Sequence, residues 1–128
     1  MQARIAALPD QIVANVKPAI VKQAEKLATA VREITPTAPE FERHPGELRE
    51  SVHTEAGDVE LGAKVVVDAR DEKGAPYAAH VEYGHRTAKG AHVPAKPFFW
   101  PAYRHERRRI FAAIGRAITA AIKGYSPP

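Results

Sequence analysis

Between Asp10 and Ile34 the residues Ile12, Val13, Val16, Ile20, Ala24, Leu27, Ala30, Val31 and Ile34 fall, at about 100° per residue, within one stripe about 100° wide. This pattern fixes a long amphipathic helix as the first element of the fold. Asp10 is suited to cap its start. Pro18 interrupts the segment, but the stripe keeps its phase on both sides and Pro18 itself projects to the polar side. The reading is therefore one kinked helix over 10–34 rather than two unrelated ones. At about 1.5 Å per residue it runs close to 37 Å, beyond the ~30 Å breadth of a globule of this size. A helix that overreaches its own domain often packs on a neighbour.

Residues 35–45 carry Pro36, Pro39 and Pro45 with few apolar residues and read as a linker or extended excursion. The run Gly46-Glu-Leu-Arg-Glu-Ser-Val52 fits one helical turn or the start of a strand. Asp58 to Asp68 reads as strand, from its β-branched residues and partial alternation. Arg70 to Gly74 is a charged turn. Pro76 at a first helical position and Gly84 just past the end bracket a short helix, Tyr77 to Tyr83. Residues 85–96 read as a loop. A final helix runs from about Pro97 to Lys123, with Pro101 in its first turn, Gly124 at its stop and a frayed tail after it. Its apolar arc collects Phe99, Trp100, Tyr103, Ile110, Phe111, Ile114, Ala117, Ile118 and Ala121. The expected architecture is a single α+β domain over 1–128. It has a long N-terminal and a long C-terminal helix packed on a small, mainly antiparallel sheet, with a short helix before an extended loop over 46–96.

A chain of 128 residues can hide about two-thirds of its unfolded surface, enough for one modest core. It has no cysteine, which excludes disulfides and thiolate metal sites and fits a reducing compartment. No apolar run approaches the ~18 residues of a membrane span, and the N-terminus lacks a signal-type core, so a soluble protein with no membrane partner is expected. Nineteen basic against fifteen acidic residues give a net charge of +4, ordinary for a small soluble domain.

Catalytic and ligand-binding patterns are missing. His80, His85 and His92 lie near Glu82, but a spacing of five keeps His80 and His85 off one helical face and Gly84 breaks the helix between them. His105-Glu106 lacks the second histidine of a zinc-protease helix, since Arg109 stands in its place. Ser51 and Ser126 lie in no nucleophile elbow, and no glycine loop cradles phosphate. Neither enzyme, metal nor cofactor is expected.

The stretch from Pro76 to Tyr103 instead crowds aromatics, helix boundaries and a basic loop together, as in a protein that docks on other proteins. Arg104 to Arg109 is the densest basic cluster, and its members spread around the helix, as a solvated face would. Arg107 alone falls inside the apolar arc. It must snorkel outward or meet a carboxylate, such as Glu82 or an acid on a neighbouring subunit. Consecutive residues of a helix point 100° apart, so Phe98, Phe99 and Trp100 cannot all face one core. Phe98 is the one left over, and it either packs internally or fills an intersubunit pocket with Tyr83 or Tyr103.

At these residues the chain resembles the head–tail joining, or tail-terminator, proteins of long-tailed lambdoid-type siphophages. The similarity rests on Gly46-Glu-Leu-Arg-Glu-Ser-Val52, Tyr77-Ala-Ala-His-Val-Glu-Tyr-Gly84 and Pro97-Phe-Phe-Trp-Pro-Ala102, whose order and spacing agree over about Gly46 to Lys123. One departure is His85, where that family usually has threonine. The resemblance implies a structural virion protein, assembled in the host cytoplasm. It would form a ring, usually of six subunits, at the head-proximal end of the tail of a phage or phage-like particle. Such a ring ends the tail tube, joins it to the head-completion or stopper protein, and lets DNA through its lumen without reading sequence. A head-to-tail ring needs two different surfaces per subunit. Candidates are the long first helix and the segment holding Glu82, Tyr83, Phe98, Trp100, Tyr103 and Arg107. The polar loop with His85, Arg86, Lys89, His92 and Lys96 would line the lumen or reach a partner ring. The alternatives are a small basic nucleic-acid-binding protein, or a capsid or portal adaptor of the same neck region.

Overall fold

The computed structural model describes residues 9–127. The order is α1 (Asp10–Ile34), α2 (Glu47–Glu50), β1 (Val52–Ala56), β2 (Ala63–Val67), α3 (Ala78–Tyr83), β3 (His85–Arg86), β4 (His92–Val93) and α4 (Phe99–Lys123). This is the expected α+β arrangement. The long helices α1 and α4 pack on each other, and α1 also packs on the antiparallel pair β1–β2, whose register runs from Val52↔Val67 to Ala56↔Ala63. Residues 1–8, where no signal-type core is expected, and Pro128 of the tail lie outside the described residues. Among the described residues no helix is long and apolar enough to cross a membrane.

Helix α1 passes through Pro18 without a break, because that residue is exposed and the apolar phase continues beyond it. Its C-terminal half supplies Ala28 and Val31 to a core completed by Ala38, Leu48, Val52, Ala69, Tyr77, Val81, Phe98 and Ala102. Two polar ties hold the end of the helix in place. The Arg32 guanidinium donates twice to the Val52 carbonyl, at 3.0 and 2.8 Å, and the Thr35 hydroxyl donates to Val31 O at 2.6 Å.

Several boundaries differ from expectation. Residues 35–45 connect α1 to α2 without a helix or strand of their own and are packed down: Ala38 is buried, and the Glu42 carboxylate accepts the backbone N–H groups of both Ala38 and Leu48. The run 46–52 makes both of the expected alternatives in turn, a helical turn at Glu47–Glu50 and then a strand from Val52. Residues 58–61 form the turn of the β1–β2 hairpin, not strand. Gly57 and Gly62 close that turn through Gly57 N–H to Gly62 O at 3.1 Å, and a Cβ on Gly57 would lie 2.5 Å from the Gly62 carbonyl carbon. The short helix begins one residue late, at Ala78, with Tyr77 at its cap, and α4 begins at Phe99 instead of Pro97. The segment 85–96 is not wholly loop. It folds back through the pairs His85↔Val93 and Arg86↔His92 around a turn closed by Gly90 N–H to Thr87 O at 2.9 Å.

Gly84 makes this last turn possible. Its φ of 80° and ψ of 167° belong to a region that only glycine enters without strain, and a Cβ there would meet Val93 O at 2.9 Å and Ala95 N at 3.0 Å. Gly84→Ala is expected to cost about 1–3 kcal/mol. Urea denaturation should show this as a lower midpoint with an unchanged slope.

Candidate interaction surface

The α3–α4 junction is built around Glu82. Helix α4 starts with orphan N–H groups, and no side chain at its own cap reaches them. Glu82 takes over from the end of α3: its carboxylate accepts from Phe98 N at 3.2 Å, Phe99 N at 2.9 Å and Trp100 N at 3.4 Å. The negative charge also faces the positive end of a 25-residue helix. A further bond, Lys96 N–H to Val81 O at 2.8 Å, binds the returning strand to α3.

This geometry corrects two expectations. Glu82 is not paired with Arg107; it is buried and engaged by three backbone amides. Phe98 is not a leftover aromatic at an intersubunit pocket. It is 1 % exposed and part of the core. Phe98 sits one residue before the helix, with φ −137° and ψ −39°, so the 100° rule that set it apart does not apply to it.

The remaining aromatics are at the surface. Tyr83 is 66 % exposed and Trp100 43 %, and the indole N–H of Trp100 donates to the Tyr83 hydroxyl at 2.6 Å. Tyr103 is half-buried and meets Trp100 edge to face, with ring centroids 5.9 Å apart. Such a bonded, edge-packed set is held in place before any partner arrives.

Helix α4 buries Ala102, Ile110 and Ala121, which point to one side of its apolar arc. The other edge is left uncovered. Trp100, Arg107, Phe111, Ile118 and Ile122 lie within about 60° of one another at 100° per residue, and all five are exposed. Arg107 therefore snorkels outward at the edge of the exposed apolar stripe that adjoins the covered side, and among the described residues no carboxylate is within ion-pair distance of it. Beside the stripe an apolar groove between α1, β2 and α4 is walled by Ile20, Leu27, Val65, Tyr103 and Phe111.

The basic residues Arg86, Lys89, His92 and Lys96 are exposed on the β3–β4 hairpin and the strand leaving it. His85 is half-buried and faces inward: its ring lies 4.9 Å from Phe41 and 5.5 Å from His80, centroid to centroid. Phe41 in turn stacks on Tyr77 at 5.1 Å. Helical spacing separates His80 from His85, but the turn at Gly84 brings their rings together in a tilted contact, 57° between planes.

Two polar clusters have no sequence signal, because strand pairing and chain reversal create them. Tyr77 donates to Glu47 at 3.2 Å, and Arg43 donates to the same carboxylate at 3.2 Å. Burial works to raise the Glu47 carboxyl, but the Arg43 hydrogen bond and charge, with the Tyr77 hydroxyl, outweigh it and hold the group below the usual carboxylate range. Burial and the adjoining Glu47 charge push the Tyr77 phenol up, so it stays protonated as a donor. On β1, His53 Nδ1 lies 2.7 Å from Ser51 O and Nε2 2.7 Å from Glu55, with Asp68 at 3.8 Å, so the protonated ring donates to both. The Ser51 carbonyl, then Glu55, raise the His53 pKa above its ordinary value. His53, Glu55 and Asp68 bring their ligand atoms within 4.8 Å of one another, and with His53 protonated they form a surface ion-pair set. No protein-family model, curated protein or solved structure matches the chain.

Proposed function

We propose that the protein is a ring-forming component of the neck of a phage or phage-like particle, ending the tail tube and joining it to the head-completion protein. The observation that carries this reading is the uncovered stripe on α4. Five exposed residues, four of them large and apolar, line one edge of a helix whose other edge is already in the core. A surface of this composition suits a protein partner, with aromatics and arginine in the roles they commonly take at interfaces. Support also comes from the two segments that resemble tail-terminator proteins. Tyr77 to Gly84 and Pro97 to Ala102 meet at the Glu82 cap, while Gly84 packs against Val93 to Ala95 just ahead of the second segment, which accounts for a Glu-aromatic-Gly and a Pro-Phe opening occurring together. In this reading the exposed Arg86, Lys89, His92 and Lys96 face DNA in the lumen or the next ring.

Labelling the chain and imaging assembled particles tests the proposal. Density at the head-proximal end of the tail is expected; a chain absent from the particle would end the reading. A second reading, nucleic-acid binding, draws on the exposed Arg86, Lys89, Lys96, Arg104 and Arg108. It requires a discrete complex at physiological salt, whereas a lumen contact gives weak binding that disappears steeply as salt rises.

A further inference from the structure

We infer that the joint between neighbouring copies is the tip of the β1–β2 hairpin of one chain seated on the exposed α4 stripe of the next. The inference rests on the ring reading and names the two unlike surfaces that such a ring requires. On one side is the stripe, with the unpaired cation of Arg107 set between Trp100 and Phe111, one turn or two away on either side. On the other is Asp58-Val-Glu60, at the end of the hairpin. Val59 is 69 % exposed, the most uncovered of the large apolar residues described. Asp58 already binds Lys64 at 2.8 Å, but Glu60 is exposed with no cationic partner among the described residues.

The two surfaces complement each other in both chemistry and order. An apolar knob flanked by a free carboxylate fits an apolar stripe interrupted by a free guanidinium. Val59 covers Phe111, and Glu60 reaches Arg107. The pair supplies the acid that an arginine inside an apolar arc needs, and the cost of covering either charge without the other is what makes it specific. The tip cannot make this contact within its own chain. There it lines a cleft against Lys17, Val21 and Ala24 of α1, while Phe111 belongs to the groove on the α4 side. Because hairpin tip and helix stripe are different surfaces, the contact repeats head to tail.

The absence of cysteine makes the test clean. Val59→Cys chains mixed with Phe111→Cys chains should, on mild oxidation, give a disulfide-linked heterodimer well above the homodimer either gives alone. The double variant should give a ladder that ends at the ring size. Glu60→Arg and Arg107→Glu should each weaken self-association roughly tenfold, and the two combined in one chain should restore it, since the pair is re-formed with its signs exchanged. Native mass spectrometry reads both effects, and circular dichroism confirms that the variants fold. Rings that form regardless of these substitutions, without the heterodimer, would overturn this joint and leave the ring reading standing. A double variant that stops at a covalent dimer would overturn the head-to-tail assignment. A chain that never associates, even with tail tubes present, would overturn both.

Discussion

Truncation of Phe98 to alanine is expected to destabilise the folded chain by about 3–5 kcal/mol, the usual cost of removing a buried aromatic ring. Phe98 is among the largest side chains almost fully hidden from water, and its neighbours in the core come from α1, α2, β1, α3 and α4. No single element can move to refill the space. Against the ~5–15 kcal/mol by which most domains are stable, such a loss takes up a large part of the total. Urea denaturation at concentrations where the chain is monomeric is the deciding measurement. A residue that served an intersubunit pocket would leave the monomer unchanged and weaken association alone. The opposite pattern is expected here, with Phe98→Leu losing less because most of the volume is kept.

Glu82→Ala is expected to cost about 3 kcal/mol, although no opposite charge faces that carboxylate. Its three acceptor bonds go to amides at the start of α4, and hydrogen bonds to a charged group contribute roughly 1.5–3 kcal/mol each before water or a neighbour compensates. The Phe98 amide is buried, so water cannot replace the acceptor there without opening the core. Hydrogen exchange should localise the effect, with protection at Phe98, Phe99 and Trp100 falling more than the global stability. Glu82→Gln keeps an acceptor but loses the charge, and should fall between wild type and alanine. Arg107→Ala should change monomer stability by only about 0.5 kcal/mol or less, as exposed substitutions do. A large loss at Arg107 instead would mean the two residues are coupled after all.

The long helices are legible in the sequence because their signal is periodic over 25 residues each, and one proline in α1 cannot shift the phase. Gly84 and Gly124 are legible as punctuation. Phe98 is misplaced by a helical wheel, which treats a residue one position outside the helix as if it were inside. Arg107 shows a different limit. The wheel gives the width of an apolar arc but not which edge of it the rest of the chain will cover, and that is settled by how α4 meets α1. Glu82 cannot be read as a cap, since its target lies 16 to 18 residues along the chain and no local pattern links a carboxylate to amides so far away. The β1 strand begins with Val52 and then carries His53, Thr54 and Glu55, so its alternation is too weak to separate it from the end of a helical turn. It is held by pairing with three successive valines of β2.

The β3–β4 hairpin is fastened on both sides before its turn begins. Lys96 is tied to Val81, and Gly84 lies flat beneath Val93 and Ala95. Residues 87–91 therefore project from a closed stem, and their number and identity do not set the angle between α3 and α4. Such a stem is an interchangeable fitting: the tip can be exchanged to suit a different contact while the frame that carries it stays the same.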